Sequence, residues 1–253
     1  MRRFAAVLVS GLLVLGSPGC SGGGSKTAGA ERVPTSTGHD QAPVERPRAR
    51  HPRPPKPVVT VASLPRVLEG QLEARGFWHR GCPVPRAGLR LLTVPYWGFD
   101  RRVHGGQLIV NARAAHPLGR VFKALYRQRF PIRHMTVPEF YGPRAMHPVD
   151  GDPTASFECR QAVPSPCAGG RGTGSWSMHA YGLAVDLNPV ENPYVGCGQS
   201  RDPATRPYRD RSRHRRGMVT SRVVAAFRSI GWGWGGSWSG STKDYMHFSA
   251  TGH

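Results

Sequence analysis

The sequence predicts an α+β fold, a small antiparallel sheet flanked by helices, preceded by a signal peptide and a disordered linker. Three observations carry this prediction. Short apolar runs of strand length are mixed with separate runs of helical period, and segregated elements of that kind build α+β folds. All of these runs fall after residue 57, which leaves roughly 190 residues, a normal size for one domain. The chain before them is too poor in large apolar side chains to bury a core.

Residues 1–20 read as a signal peptide. Arg2 and Arg3 precede an apolar run from Phe4 to Leu15, and Gly16, Ser17, Pro18, Gly19 and Cys20 follow as a small-residue cleavage zone. That apolar run is about a dozen residues, short of the roughly 20 that a membrane-spanning helix needs. Its ending, Gly19-Cys20 followed by Ser21 and three glycines, resembles a bacterial lipoprotein signal, in which Cys20 becomes the lipidated N-terminus. Ser17 stands where such signals carry Leu, so plain secretion is the alternative. Either route exports the protein, to the outer face of the cytoplasmic membrane or to the cell wall.

Residues 21–57 are Gly/Ser-rich and then Pro/Arg-rich, ending in Arg50-His51-Pro52-Arg53-Pro54-Pro55-Lys56-Pro57. This composition predicts a disordered or polyproline-like stalk. Over the whole chain 35 Lys and Arg face 15 acids, a net charge of +20 among 253 residues. Such a balance favours polyanionic surroundings, either anionic wall polymer or a membrane surface. Nucleic acid is not expected as a partner, because the chain is exported and carries no helix-turn-helix, zinc-finger or RNA-recognition motif. A monomer is expected.

The domain proper spans 58–253. Leu64, Val67, Leu68 and Leu72 have helical spacing over Leu64 to Arg75. Leu89–Val94 and Gln107–Asn111 read as strands. A helix from about Ala114 to Arg129 is marked by Leu118, Val121, Phe122, Leu125 and Tyr126, with Pro131 beyond it as a stop. Ile132–Val137 is expected to be a further strand. Ser221–Ile230 reads as a helix with Thr220 or Ser221 as N-cap and Gly231 at its end. With Cys20 set aside, Cys82, Cys159, Cys167 and Cys197 form an even set in an exported chain, and two disulfides are expected, Cys82 with Cys159 and Cys167 with Cys197. A cysteine-built zinc site is disfavoured, since the chain has no C-x-x-C pair.

The chemistry concentrates in two segments, Ser175 to Pro189 and Lys243 to Phe248. In the first, Asp186 sits within the apolar run Ala184-Val185-Asp186-Leu187, where an unpaired carboxylate would be costly and a cation is demanded. His179 and His247 can join it around a metal ion, leaving positions open for water and substrate. His179 and Asp186 are seven apart, which would put them on opposite faces of one straight strand, so the chain must turn between them, and Gly182 can supply the turn. Asp244, three residues before His247, is expected in a loop entering a strand over Met246–Phe248, beside a water activated by the ion. The nine other histidines have no comparable partners in the sequence and are read as surface or core residues.

Ser177-x-His179-x-x-Gly182-x-Ala184-x-Asp186 with Asp244-x-x-His247 resembles the zinc D-alanyl-D-alanine carboxypeptidase family. That family includes the vancomycin-resistance D,D-peptidases and the L-alanoyl-D-glutamate endopeptidases of phage endolysins. The resemblance extends over most of residues 90 to 250, and it implies the Hedgehog/D,D-peptidase-like zinc peptidase fold. It implies Zn2+ held by His179, Asp186 and His247, with Asp244 as general acid/base. Ser156-Phe157-Glu158-Cys159-Arg160 is similar to the family stretch whose arginine stabilises the anionic intermediate, which makes Arg160 that residue. Ser177, Tyr181 and Trp238 would contact substrate, the last from the run Gly231 to Trp238. Trp232, Trp234 and Trp238 have core packing as the alternative role. Many family members carry Glu where this chain has Asp244, which sets the carboxyl one methylene further back.

The expected function is therefore hydrolysis of peptide bonds in peptidoglycan stem peptides, as a D,D-carboxypeptidase or an L-Ala-D-Glu-type endopeptidase. The alternative is a non-catalytic wall-binding lipoprotein that keeps the fold. Arg201 to Arg216, with seven arginines and two acids, reads as an exposed insertion, either a solvated loop or a contact for phosphate-bearing wall polymers.

Overall fold

Two nine-residue strands form the spine of the domain, in a computed structural model that describes residues 55–137, 152–162 and 174–253. The signal peptide, nearly all of the linker, Cys20 and Cys167 lie outside the described residues, as do His39, His51 and His147. Strand β1 (Thr60–Ser63) pairs antiparallel with β2 (Leu89–Trp97), which pairs antiparallel with β3 (Val103–Asn111). Side chains alternate across this sheet. Leu92, Val94, Leu108 and Val110 enter the main core, whereas Leu89 and Ile109 enter a second one. Helix α1 (Arg66–Ala74) covers the second core with Leu68 and Leu72, and helix α2 (Ala112–Arg127) covers the main core with Leu118, Val121, Phe122 and Leu125.

Helix α2 begins two residues before the sequence suggests, because the Asn111 side chain accepts from Arg113 N–H and caps it. It also ends earlier, at Arg127, with Arg129 in the left-handed region (φ 53°). Likewise α1 starts after Pro65, a residue that fits a helix entrance better than its interior. The strand expected over Ile132–Val137 does not form. Ile132 N–H donates to Trp97 O, and Met135 O accepts from Gln107 N–H, so the segment follows the sheet edge with bonds too sparse for a ladder, and Pro131 has no N–H to give.

The second sheet has the order β4 (Ala184–Asp186), β8 (His247–Ser249), β6 (Gly233–Trp234). Thr154–Phe157 lies along the free side of β4, with Ala155 and Asp186 exchanging both backbone bonds. Val185 and Phe248 point into the core, where Phe248 stacks on Phe227 at 3.9 Å between ring centroids. Phe227 comes from helix α4 (Ser221–Arg228), which is capped by Thr220 Oγ1 and closed by Gly231 in the left-handed region. Between α2 and α4 in the chain stands helix α3 (Arg206–Arg209), one turn within the arginine-rich segment. A two-stranded ribbon completes the fold, β5 (Tyr194–Val195) against β7 (Lys243–Asp244). All of these elements belong to one compact unit, Arg53–His253. Among the described residues no helix is long and apolar enough to cross a membrane.

Cys82 and Cys159 form a disulfide, as expected, tying the loop after α1 to the segment beside β4. Cys197 is disulfide-bonded as well. The arginine-rich stretch is more than a solvated loop. Arg211 is half-buried, donates to Glu191 O, Asn192 Oδ1 and Val219 O, and lies over the Tyr245 ring.

Candidate metal centre

The pairing of β4 with β8 sets Asp186 directly opposite His247. Because their neighbours Val185 and Phe248 turn inward, these two side chains turn outward on the same face. His247 Nδ1 stands 3.1 Å from Asp186 Oδ1. The third member arrives from outside the sheet. Ser177, Met178, His179 and Ala180 form a tight turn, and Gly182 reverses the chain with φ +63° before β4 begins. A Cβ at position 182 would sit 2.6 Å from Asn111 N, so both the backbone angle and the packing require glycine. The turn places His179 Nε2 3.2 Å from Asp186 Oδ2. The turn that the odd spacing of His179 and Asp186 demands is thus present at the expected residue.

His179 and His247 are buried, while Asp186 keeps 23 % of its side chain open to a cleft. His179 Nδ1 lies 2.6 Å from Ser156 O, so its N–H is donated there and the lone pair is on Nε2. Ser156 is itself held by a bond from its hydroxyl to Ala184 O, 2.6 Å. His179 Nε2 and His247 Nε2 are both buried without a hydrogen-bond partner. The approach of His179 Nε2 to Asp186 is close but misaligned for a hydrogen bond, so proximity alone does not satisfy that nitrogen. Donor atoms of His179, Asp186 and His247 lie within 4.8 Å of one another. Two orphaned imidazole nitrogens beside a carboxylate are the set that a borderline cation such as Zn2+ prefers, and these residues fit one.

Charge supports the same reading. Burial raises the Asp186 carboxyl, but the two imidazoles, His179 foremost, outweigh it and hold the group far below its ordinary range. Burial in turn disfavours a charged His179, and Asp186 overcomes that and raises it. The Asp186 carboxyl is thus held ionised between the two imidazoles, as a metal-ligating carboxylate must be.

Asp244 lies in β7, opposite Tyr194, rather than in the loop expected for it. The ribbon accounts for the difference, since β5 follows β4 by only a short turn and returns to pair with the residues just before His247. Asp244 Oδ1 is buried with no partner, and burial, followed by repulsion from Asp186, pushes the carboxyl up to about 7. Asp244, Asp186, His179 and His247 line one cleft of about 570 Å³, together with Arg160, Ser177 and Trp238. Arg160 Nε donates to Glu158 Oε2 at 2.8 Å, and Ser177 Oγ accepts from His179 N–H. Trp238 stacks on His253 at 5.6 Å and lies 6.3 Å from the His247 ring. Tyr181 is placed elsewhere, packed against both cores with its carbonyl accepting from Asn111 Nδ2, and it does not line the cleft. Trp232 is in the core and Trp234 packs against it.

The cleft also holds residues that the sequence did not single out: Tyr194, Gly198, Ser200, Thr242 and His253. Tyr194, Gly198, Ser200 and Thr242 lie in or beside the β5–β7 ribbon, whose strands of two residues are too short for any periodicity, and His253 comes from the C-terminal end beyond β8. Two histidines also have partners the sequence did not reveal. His104 Nε2 pairs with Asp100 at 3.0 Å, and His79 Nε2 lies 3.5 Å from Cys159 Sγ beside the disulfide. His79, Cys82 and Cys159 cluster as a metal set would, but the two sulfurs are bonded to each other and have no thiolate to offer.

Comparison with known proteins bears on residues 171–250, which match the peptidase family described as D-alanyl-D-alanine carboxypeptidase. No curated protein and no solved structure matches the chain. The matched residues contain His179, Asp186, Asp244 and His247, and the match supports the zinc D,D-peptidase family that the two motifs resemble.

Proposed function

We propose, taking the zinc D-alanyl-D-alanine carboxypeptidases as its kin, that this protein is a zinc metallopeptidase that hydrolyses peptide bonds in peptidoglycan stem peptides. One observation carries the reading: two buried imidazoles with unpartnered nitrogens meet a carboxylate on the floor of a cleft that also contains the partnerless carboxyl of Asp244. Zinc bound by His179, Asp186 and His247 supplies Lewis acidity toward a peptide carbonyl and a water molecule.

The chain's own groups do the rest. Ser156 O fixes the His179 tautomer, so that the correct nitrogen faces the cleft. Asp244, with its carboxyl near 7, can take a proton from the attacking water and return it to the leaving amine at neutral pH. Arg160 offers its guanidinium to the developing oxyanion or to a substrate carboxylate, with Glu158 fixing its direction. Trp238 and Ser177 line the cleft in which the peptide would lie. Tyr181 supports the turn bearing His179 from behind. The signal peptide and Cys20 would put this chemistry on the wall side of the membrane, where its substrate lies.

The test is turnover of synthetic stem peptides by the zinc-loaded protein, with products read by mass spectrometry. Asp244→Asn is expected to lower kcat by roughly 10²–10⁴-fold, the usual worth of a general acid/base. Bound zinc, measured by metal analysis, is expected to stay the same. A parent protein that holds zinc yet cleaves no stem peptide would show a wall-binding protein instead. Release of terminal D-Ala, or a cut within the stem, identifies the bond.

A further inference from the structure

Beside the metal cleft lies a second concavity of about 460 Å³, lined by Gly198, Gln199, Ser200, Arg201, Arg206 and Arg209. Three guanidiniums face it and no lining residue is acidic. The two acids nearest in the chain to these arginines are engaged elsewhere. Asp202 caps the short 3-10 turn Pro203–Thr205 through a bond from Ala204 N–H, and Asp210 accepts from both the N–H and the hydroxyl of Ser212. Arg209 is anchored by bonds from Nη2 to Ser200 O at 2.6 Å and to Thr205 Oγ1, yet its Nε–H is buried with no partner. A buried, unsatisfied donor on a fixed cation is costly unless an acceptor is supplied from outside.

The concavity is joined to the catalytic cleft, since Gly198 and Ser200 line both. The same Ser200 donates its N–H to Tyr194 O, and Tyr194 stands opposite Asp244 across the β5–β7 ribbon. Arg209 is thus linked, through Ser200 and Tyr194, to the strand that carries the residue proposed to move the proton. A ligand that spans both hollows would lie along one continuous surface.

We infer that Arg201, Arg206 and Arg209 form a carboxylate subsite, which selects peptides carrying an acidic group away from the bond being cut. Arginine suits this task because its planar fork matches a carboxylate with two parallel N–H bonds. The inference rests on the peptidase reading for the occupant of the cleft, and it adds which peptides that cleft prefers. Arg160, at its own place in the cleft and paired with Glu158, is not part of the subsite.

The test uses two peptides ending in D-Ala-D-Ala, identical except that one internal acidic side chain is a carboxylate in the first and a carboxamide in the second. Their affinities are measured by tryptophan fluorescence on the full-length, zinc-loaded Asp244→Asn variant, which needs no turnover. The acid is expected to bind about tenfold tighter than the amide, as one charge-assisted contact allows. That preference should vanish in Arg201→Glu/Arg206→Glu, where both side chains are exposed, and should weaken in Arg209→Lys, which keeps the charge and loses the fork. Equal affinity for the two peptides, alongside turnover by the parent, overturns the subsite alone. Selective binding without turnover by the parent overturns the peptidase reading and leaves the subsite standing. No binding of either peptide overturns both. If a glycerol phosphate oligomer binds through these arginines without competing with the peptide, the patch serves a polymer outside the cleft and the inference is wrong.

Discussion

Asp152, outside the cleft, carries the most strongly raised carboxyl among the described residues, pushed up to about 9 by burial first and then by Glu191, with Arg133 offsetting only part of this. Asp152 and Glu191 are both almost fully buried, and Arg133 reaches each of them, at 3.4 and 2.7 Å. Asp152 Oδ1 also accepts from Val190 N–H, just beyond β4. An acid whose folded pKa exceeds its unfolded value near 4 binds more protons when folded, so stability falls as pH rises from about 4 to about 9. Asp152→Asn mimics the protonated form and keeps the acceptor for Val190. It is expected to flatten that slope and to raise Tm at pH 9 by roughly 2–4 °C, about one kcal/mol, checked by thermal melts across the range. None of this was legible in the sequence, because Asp152, Glu191 and Arg133 are separated in the chain and nothing local marks them as neighbours. His179, Asp186, Asp244 and His247 were legible for the opposite reason. Each stands within a short motif whose apolar or glycine neighbours betray a constrained position.

Among the elements, the helices and the long strands could be read because burial on one face leaves a period, as with Leu118, Val121, Phe122 and Leu125 in α2. Their ends could not, since Asn111 caps through a side chain that the period does not include. Ile132–Val137 buries Ile132, Met135 and Val137, but burial does not provide a hydrogen-bonding neighbour along its whole length, so the strand expected there does not form. The ribbon β5–β7 was invisible, and with it the true setting of Asp244. Gly182 is the element-scale joint on which the site turns. Gly182→Ala is expected to cost about 1–3 kcal/mol, from backbone strain and the clash with Asn111. Urea unfolding of the metal-free protein measures that cost, and zinc affinity should fall alongside it, because His179 moves with the turn.

Across the whole molecule, the Cys82–Cys159 bridge joins positions 77 apart, and it fastens the α1 side of the domain to the segment carrying Ser156 and Arg160. Closing so long a loop restricts the unfolded chain, which is worth about 2–4 kcal/mol. Cys82→Ser/Cys159→Ser is accordingly expected to lower Tm by roughly 5–15 °C in calorimetry. Parity and export pointed to disulfides but left three pairings open, and this one was favoured because Cys167 and Cys197 bracket a motif-bearing segment, whereas the packing of His79 against the bridge was not readable at all.

The register of β4 and β8 has a consequence for how such a protein can diversify. Asp186 and His247 meet across a single rung of backbone pairing, although 61 positions of chain separate them. Much of the intervening chain is tied to that rung, since β6 pairs with β8 and Phe227 stacks on Phe248, but the exposed stretch from Arg201 to Ala204 is not and can be lengthened or recharged without touching it. On the proposed reading, descendants of one ancestor could therefore trade appetites for different peptides by rewriting that exposed stretch, while the candidate ligand triplet passes unaltered from one lineage to the next.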